Sequence, residues 1–295
     1  MNIIETKKLT KNYGKNRGIQ DVNISVKEGE IFGFIGPNGA GKSTTIKTLL
    51  NFIYPTSGSS KILGMDIVKD SSKIKEHIGY VPSEVRYYDD VKVKDIIKYS
   101  KSFYPKIDQE YVNKICNELE LDMNKKMGEL SLGNKKKVSI AQALIHSPKL
   151  LILDEPTNGL DPLMQNKLFN ILLKEKEKGN TVFLSSHNLT EVQNLCDRAC
   201  VIKEGKIIDI IEIEKETSKL SLKVTLTSSD IPKEIVLDLS SKLLSDKENS
   251  YTFTYSKDID TLIKEISKFK IDELLIEKEN LEDTFLDYYK NKEIE

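Results

Sequence analysis

Gly36-Pro37-Asn38-Gly39-Ala40-Gly41-Lys42-Ser43-Thr44 is the stretch on which the fold turns. It fits the phosphate-binding loop pattern, with glycines, then Lys and Ser, at the required gaps. The apolar run Ile31-Phe32-Gly33-Phe34-Ile35 before it reads as a buried strand. Ile46, Leu49 and Leu50 after it fall at helix spacing. Glycines allow backbone angles that a Cβ forbids, so amide hydrogens can converge on phosphate oxygens. A helix starting near Lys42 points the positive end of its dipole at the same place. Lys42 is therefore expected to reach the terminal phosphates, and the Ser43 hydroxyl to help ligate Mg²⁺. The loop alone does not choose among the classes of proteins that use nucleoside triphosphates.

With 295 residues the chain allows about two domains, and 38% hydrophobic with 31% charged residues suits a globular fold. The longest apolar runs have strand length, far from the roughly 20 residues of a membrane helix. Direct membrane insertion is not expected, and Met1-Asn2-Ile3-Ile4-Glu5 does not read as a signal peptide. Cys116, Cys196 and Cys200 form no metal or redox motif, which suits thiols in a reducing compartment. The net charge of −1 is uneven, with bases in excess over residues 1–214 and acids over 215–295. That shift marks an expected domain change near 215. No basic tract interleaved with aromatics appears, so a nucleic-acid partner is not expected.

A second apolar strand, Leu150 to Leu153, ends in Asp154-Glu155. A buried strand can deliver two carboxylates to the carboxyl edge of a sheet, where phosphate sites of open α/β folds lie. Asp154 is placed to hold Mg²⁺ and Glu155 to polarise an attacking water as general base. Between these motifs, Leu130-Ser131-Leu132-Gly133-Asn134 runs into Val138, Ala141, Leu144 and Ile145, which share one helical face. Ser131 and Gly133 thus sit at a helix start, a second place with unpaired amide hydrogens. Lys135-Lys136-Lys137 reads as the solvated face of that helix.

With these residues in order, the chain resembles the ATP-binding subunit of an ABC transporter. Leu130–Asn134 resembles the family's signature, usually Leu-Ser-Gly-Gly-Gln, and Pro156-Thr157-Asn158-Gly159-Leu160-Asp161 resembles its D-loop. His187, in Ser185-Ser186-His187, resembles the switch histidine, and Tyr13 the aromatic that stacks on adenine. The resemblance covers residues 1 to about 214. It implies an α/β P-loop NTPase fold with a mixed sheet and a helical subdomain at roughly 84–146. It also implies ATP and Mg²⁺ as cofactors and a catalytic pair, Glu155 and His187. ATP contacts are implied at Tyr13, at Gly36, Pro37, Asn38, Gly39, Ala40, Gly41, Lys42, Ser43 and Thr44, and at Ser131 and Gly133. The family's sites form between two ATPase domains arranged head to tail. A second copy of the chain and an integral membrane permease are therefore the implied partners, with the subunit peripheral on the cytoplasmic face.

Two departures stand out. Leu132 replaces the signature's first glycine, which would narrow the backbone angles there. After Ile78-Gly79-Tyr80-Val81-Pro82, Ser83 occupies the position of the Q-loop glutamine and is the implied third metal-site residue; Glu84 is a possible substitute. In the family, Val85-Arg86-Tyr87-Tyr88-Asp89-Asp90 would face the membrane partner.

Beyond Lys203-Glu204-Gly205-Lys206, a turn, the pattern changes to a small C-terminal α+β domain over 215–295. Leu220, Leu222, Val224 and Leu226 alternate as in a half-buried strand, as do Tyr251, Phe253 and Tyr255. Ile259, Leu262, Ile263 and Ile266 read as a helix, Leu274-Leu275-Ile276 as a strand, and Leu281, Phe285, Tyr288 and Tyr289 as a last helix. Leu281–Leu286 resembles the tails of antibiotic-export and resistance-type ABC ATPases. The expectation is an ATP hydrolase that powers export. The alternatives are a soluble ABC-type ATPase acting on a macromolecular complex, and an ATP-binding sensor with little turnover. Ser131 lies only 89 residues beyond Lys42, which leaves no room for the long coiled coil of repair ATPases.

Overall fold

The apolar runs that flank the glycine-rich loop assemble into one sheet. Its strand order is Lys206–Glu212, Arg198–Lys203, Ile31–Ile35, Thr181–Ser186, Leu150–Asp154 and Ile78–Val81. The last five run parallel, and Lys206–Glu212 pairs antiparallel at one edge. Every residue of Ile31–Ile35, Leu150–Asp154 and Thr181–Ser186 is buried, the signature of strands covered on both faces. In this computed structural model, residues 1–14, 16–213, 222–247 and 249–278 are described. The chain divides into two units, Met1–Ile213 and Glu214–Glu295.

A second, antiparallel sheet in the first unit contains Asn2–Tyr13, Asn16–Val22, Ser25–Lys27, Ser57–Ile62 and Met65–Asp66. Ile4, Leu9, Val22 and Val26 of this sheet share one core with Phe32, Phe34, Ile46, Leu150 and Phe183. Phe183 packs its ring 5.9 Å from Phe32 and 5.4 Å from Phe34. Between Ile78–Val81 and Leu150–Asp154 the chain is helical. Val93–Lys101 and Gln109–Glu118 both pack on Leu132–Leu144. Asp108 caps Gln109–Glu118 by accepting from the Glu110 and Tyr111 amides.

The second unit runs strand Leu222–Thr227, helix Lys233–Leu239, strands Lys242–Lys247 and Ser250–Tyr255, helix Ile259–Ile266 and strand Glu273–Lys278. Its sheet order, Lys242–Lys247, Ser250–Tyr255, Leu222–Thr227, Glu273–Lys278, is antiparallel throughout, a split βαβ arrangement. Val224, Leu226, Phe253 and Tyr255 pack under Val236, Leu262 and Ile266. Helix Lys233–Leu239 and strand Lys242–Lys247 went unforeseen, because seven residues hardly show a 3.6 period and Lys-Leu-Leu-Ser-Asp-Lys does not alternate. The expected last helix around Leu281, Phe285, Tyr288 and Tyr289, with its tail resemblance, lies outside the described residues.

Candidate functional site

The glycine-rich loop leaves the carboxyl end of Ile31–Ile35 and enters helix Lys42–Leu49 through Gly41, whose φ of +110° suits glycine. A Cβ there would stand 2.9 Å from Ile19 Cγ2, so side-chain packing reinforces the backbone requirement. Gly39 also has a positive φ, and the Ala40 amide donates to Pro37 O at 3.1 Å. The Ala40 carbonyl accepts from the Gly205 amide at 2.8 Å, which ties the loop to the turn after Arg198–Lys203. Gly36 and Ala40 are buried, whereas Pro37, Asn38 and Gly39 face outward. Ser43 and Thr44 lie half-buried in the first helical turn.

Lys42 is buried, and its ammonium donates to Gly36 O at 2.7 Å and Pro37 O at 3.2 Å. It also stands 3.1 Å from Glu155 Oε1. On the other side of that carboxylate, His187 Nδ1 lies 3.3 Å from Oε2, and Asn158 Nδ2 donates to the same oxygen at 2.6 Å. Burial would raise the Glu155 carboxyl. The bond and charge of Lys42 oppose it, followed by Asn158 and His187, and the net direction is below the usual carboxylate range. Glu155 is therefore ionised at neutral pH.

The Glu155 backbone is held as firmly as its side chain. Its φ is +47°, a left-handed value uncommon outside glycine and costly by about 1–3 kcal/mol. The amide donates to Ser185 O at 3.2 Å and to Ser185 Oγ at 3.1 Å. The Ser185 hydroxyl in turn donates to Asp154 Oδ1 at 2.6 Å. Parallel pairing sets Asp154 against Ser185, so the sheet register brings these groups together.

Asp154 is 1% exposed, and its second oxygen, Oδ2, is buried without a hydrogen-bond partner. A buried, unsatisfied carboxylate oxygen at a strand end fits a hard divalent cation, bound directly or through water. The donor set thus fits Mg²⁺.

Ser131 caps helix Leu132–Leu144, its hydroxyl accepting from the Asn134 amide at 3.3 Å. Leu132 is the first helical residue and has no positive φ, so the expected narrowing of its backbone angles has no consequence. Its side chain is instead 59% exposed beside Gly159. Gly133 has the stricter requirement: a Cβ there would stand 2.3 Å from Gly159 O. The signature helix and the D-loop therefore meet backbone to backbone.

Ser83 enters through its carbonyl, which accepts from Lys136 Nζ at 2.7 Å. Glu84 turns outward to Arg86, both largely exposed. The reading of Lys135-Lys136-Lys137 as a solvated face is corrected: Lys136 is 1% and Lys137 8% exposed. The helix packs between Val93–Lys101, Gln109–Glu118 and Ile78–Val81, so no complete face is left for solvent. Tyr13 ends its strand 44% exposed, with the Lys11 ammonium 5.3 Å from its ring. Asn158, Ser185 and Lys136 were not singled out as site residues. The motif around His187 contains Ser185, but only strand register reveals its partner. Cys196 follows helix Leu189–Leu195 and Cys200 lies in strand Arg198–Lys203, both buried.

The family model described as "ABC transporter" matches residues 19–158. The bacitracin transport ATP-binding protein BcrA of Bacillus licheniformis is 36% identical over 80% of this chain and 78% of its own length. The uncharacterized ABC transporter ATP-binding protein YhcH of Bacillus subtilis is 31% identical over 97% of this chain and 95% of its own. A solved ATP-binding subunit of an ABC transporter superposes with a TM-score of 0.67 at 28% identity, covering 72% of this chain and 90% of that one. This chain belongs to the ABC transporter ATP-binding family.

Proposed function

We propose that two copies of this chain close head to tail on ATP and that hydrolysis powers export through a separate membrane permease. The observation that carries this reading is the Glu155 carboxylate, set between Lys42 and His187 at the carboxyl edge of the parallel sheet. In it, Lys42 and the amides of residues 39–44 bind the polyphosphate, and Tyr13 stacks on the base. Glu155 takes the proton of the attacking water, and His187 contacts the γ-phosphate. Ser43 and Asp154 would hold Mg²⁺, which when bound offsets negative charge on the phosphate oxygens.

Ser131 and Gly133 serve the nucleotide of the second copy. ATP favours the closed dimer only because it contacts both chains there, and loss of the γ-phosphate removes that preference. The permease meets the segment after Ser83, where Tyr88 is 85% exposed while Tyr87 turns inward and donates to Gln142. Among the described residues no helix is long and apolar enough to cross a membrane. The subunit of this reading sits at the cytoplasmic face through its permease. Export is supported by the Leu281–Leu286 tail resemblance and by a relative named for bacitracin transport.

Glu155→Gln tests the reading. The variant is expected to bind ATP and form an ATP-dependent dimer in size-exclusion chromatography, with hydrolysis lost. Normal hydrolysis by Glu155→Gln overturns the assignment of Glu155 as base.

A further inference from the structure

Lys136 is a fully buried ammonium whose three hydrogens have three backbone acceptors. It donates to Pro82 O at 2.9 Å, Ser83 O at 2.7 Å and Glu155 O at 3.4 Å. An ammonium has three donors and no acceptor, so this set uses its full capacity. The carbonyls belong to two segments that are far apart in sequence: the exit of Ile78–Val81 and the turn after Leu150–Asp154. The cation itself rides on helix Leu132–Leu144, five residues after its Ser131 cap.

We propose that Lys136 is a positioning residue of the ATPase, which fixes the peptide of Glu155 and the Pro82-Ser83 segment to the signature helix. The inference rests on the ATPase reading of Glu155 given above.

Burying an ammonium is costly, and a buried charge is a poor way to gain stability. What it supplies here is orientation. Glu155 holds a left-handed φ, so its peptide plane is not settled by local preference. The amide side of Glu155 is held by Ser185 and the carbonyl side by Lys136. Together they aim the carboxylate. The same cation grips the carbonyl of Ser83, where the family's glutamine would stand. A shift of the segment beyond Ser83 is thereby felt at Glu155 through one shared donor, with no need for a long side chain at 83.

The charged groups around Lys136 are few. Asp154 and Glu155 attract the ammonium from the end of Leu150–Asp154. On the Ser83 side, Glu84 pairs with Arg86 in solvent, and on its own helix Lys135 stands 3.7 Å from Asp89. Desolvation dominates and pushes Lys136 down to about 8, with the two carboxylates opposing.

The test uses the full chain with ATP and Mg²⁺, comparing wild type with Lys136→Met, which keeps the length and apolar stem. Expected are a lowered unfolding temperature, because three backbone carbonyls lose their donor, an unchanged KM and a kcat lowered about tenfold, the equivalent of ~1.4 kcal/mol in the barrier. An unchanged kcat in Lys136→Met overturns the proposal. So does a rise in KM in step with the fall in kcat, which would mark a merely structural lysine. Should Lys136→Met not fold, Lys136→Gln, which keeps two donors, is expected to fold and retain part of kcat with KM unchanged; wild-type kinetics in Lys136→Gln would overturn the proposal equally. A wild-type chain that does not turn over ATP would instead sink the ATPase reading.

Discussion

Lys42 Nζ stands 3.1 Å from Glu155 Oε1, so the cation suited to a phosphate and the carboxylate suited to a water proton are paired with each other. The pair is well shielded, with side-chain exposures of 4% and 14%. A polyphosphate in the loop competes for Lys42, and its arrival would leave Glu155 with Asn158 and His187. Lys42→Met should therefore abolish ATP binding in a fluorescent-nucleotide titration and raise the Glu155 pKa, because the largest lowering influence is removed. Retained nanomolar or micromolar binding in Lys42→Met would contradict the loop assignment.

Ser185 joins both acids, donating to Asp154 and accepting from the Glu155 amide. Ser185→Ala leaves a buried carboxylate oxygen and a buried amide each short of a partner. The expected loss of stability is about 1–3 kcal/mol, seen as a lower denaturant midpoint, with a weaker dependence of hydrolysis on Mg²⁺. Ser185→Ala with wild-type stability and Mg²⁺ titration would show that the strand-end hydroxyl does not support the acids.

Gly133 and Leu132 separate two explanations of the signature. Gly133→Ala should disrupt the contact with Gly159, since its Cβ would stand 2.3 Å from a carbonyl oxygen. Turnover is expected to fall by an order of magnitude or more, while nucleotide binding by the monomer is kept. Leu132→Gly, by contrast, relieves no backbone constraint and should cost only about 1 kcal/mol of helix stability. Equal loss of turnover in both variants would refute the steric account.

His146 makes a pH prediction for stability. Burial lowers it from 6.5 to about 4, against a weaker opposing bond from Nε2 to Ile78 O, and its ring stacks 4.0 Å from Tyr104. Below pH 6.5 the unfolded chain takes up a proton that the folded chain refuses. Stability from this group is therefore lost as pH falls from 6.5 towards 4 and levels off below that. The loss is on the order of 3 kcal/mol, and His146→Phe should flatten it in urea titrations across that range. An identical acid slope in His146→Phe would place the cause elsewhere.

Tyr111 OH donates to the buried Glu175 at 2.9 Å, and Lys178 and Asn180 donate to the same carboxylate. Glu118–Lys174 and Glu120–Lys167 continue the contact between the end of Gln109–Glu118 and helix Pro162–Glu177. Tyr111→Phe should destabilise by about 1–2 kcal/mol, more than any one of the exposed ion pairs, which are worth at most ~1 kcal/mol each. Ion-pair variants that cost more than Tyr111→Phe would reverse that ranking.

Much of the fold was legible in the residues because it depends on local pattern. Apolar runs of strand length predicted Ile31–Ile35 and the strand from Leu150 to Leu153, which extends to Asp154. The spacing of Val138, Ala141 and Leu144 predicted the signature helix, and Ser131 its cap. Gly41 required its positive φ whatever the surroundings. In the second unit, by contrast, Lys233–Leu239 and Lys242–Lys247 were hidden, since such short stretches become a helix and a strand only when Val236 packs with Phe253 and Lys242–Lys247 pairs with Ser250–Tyr255.

By itself the sequence determined which residue types were present to bind phosphate, hold a cation and move a proton, because those properties belong to single side chains and their near neighbours. Tertiary structure alone decided how they act together. Parallel register set Asp154 against Ser185, a backbone approach made Gly133 depend on Gly159, and helix packing buried Lys136 under three carbonyls that no periodicity in the chain connects. The physical reason is range: propensity and periodicity extend over one element, whereas a hydrogen bond between residues 83 and 136 exists only after the sheet and helices have closed around it.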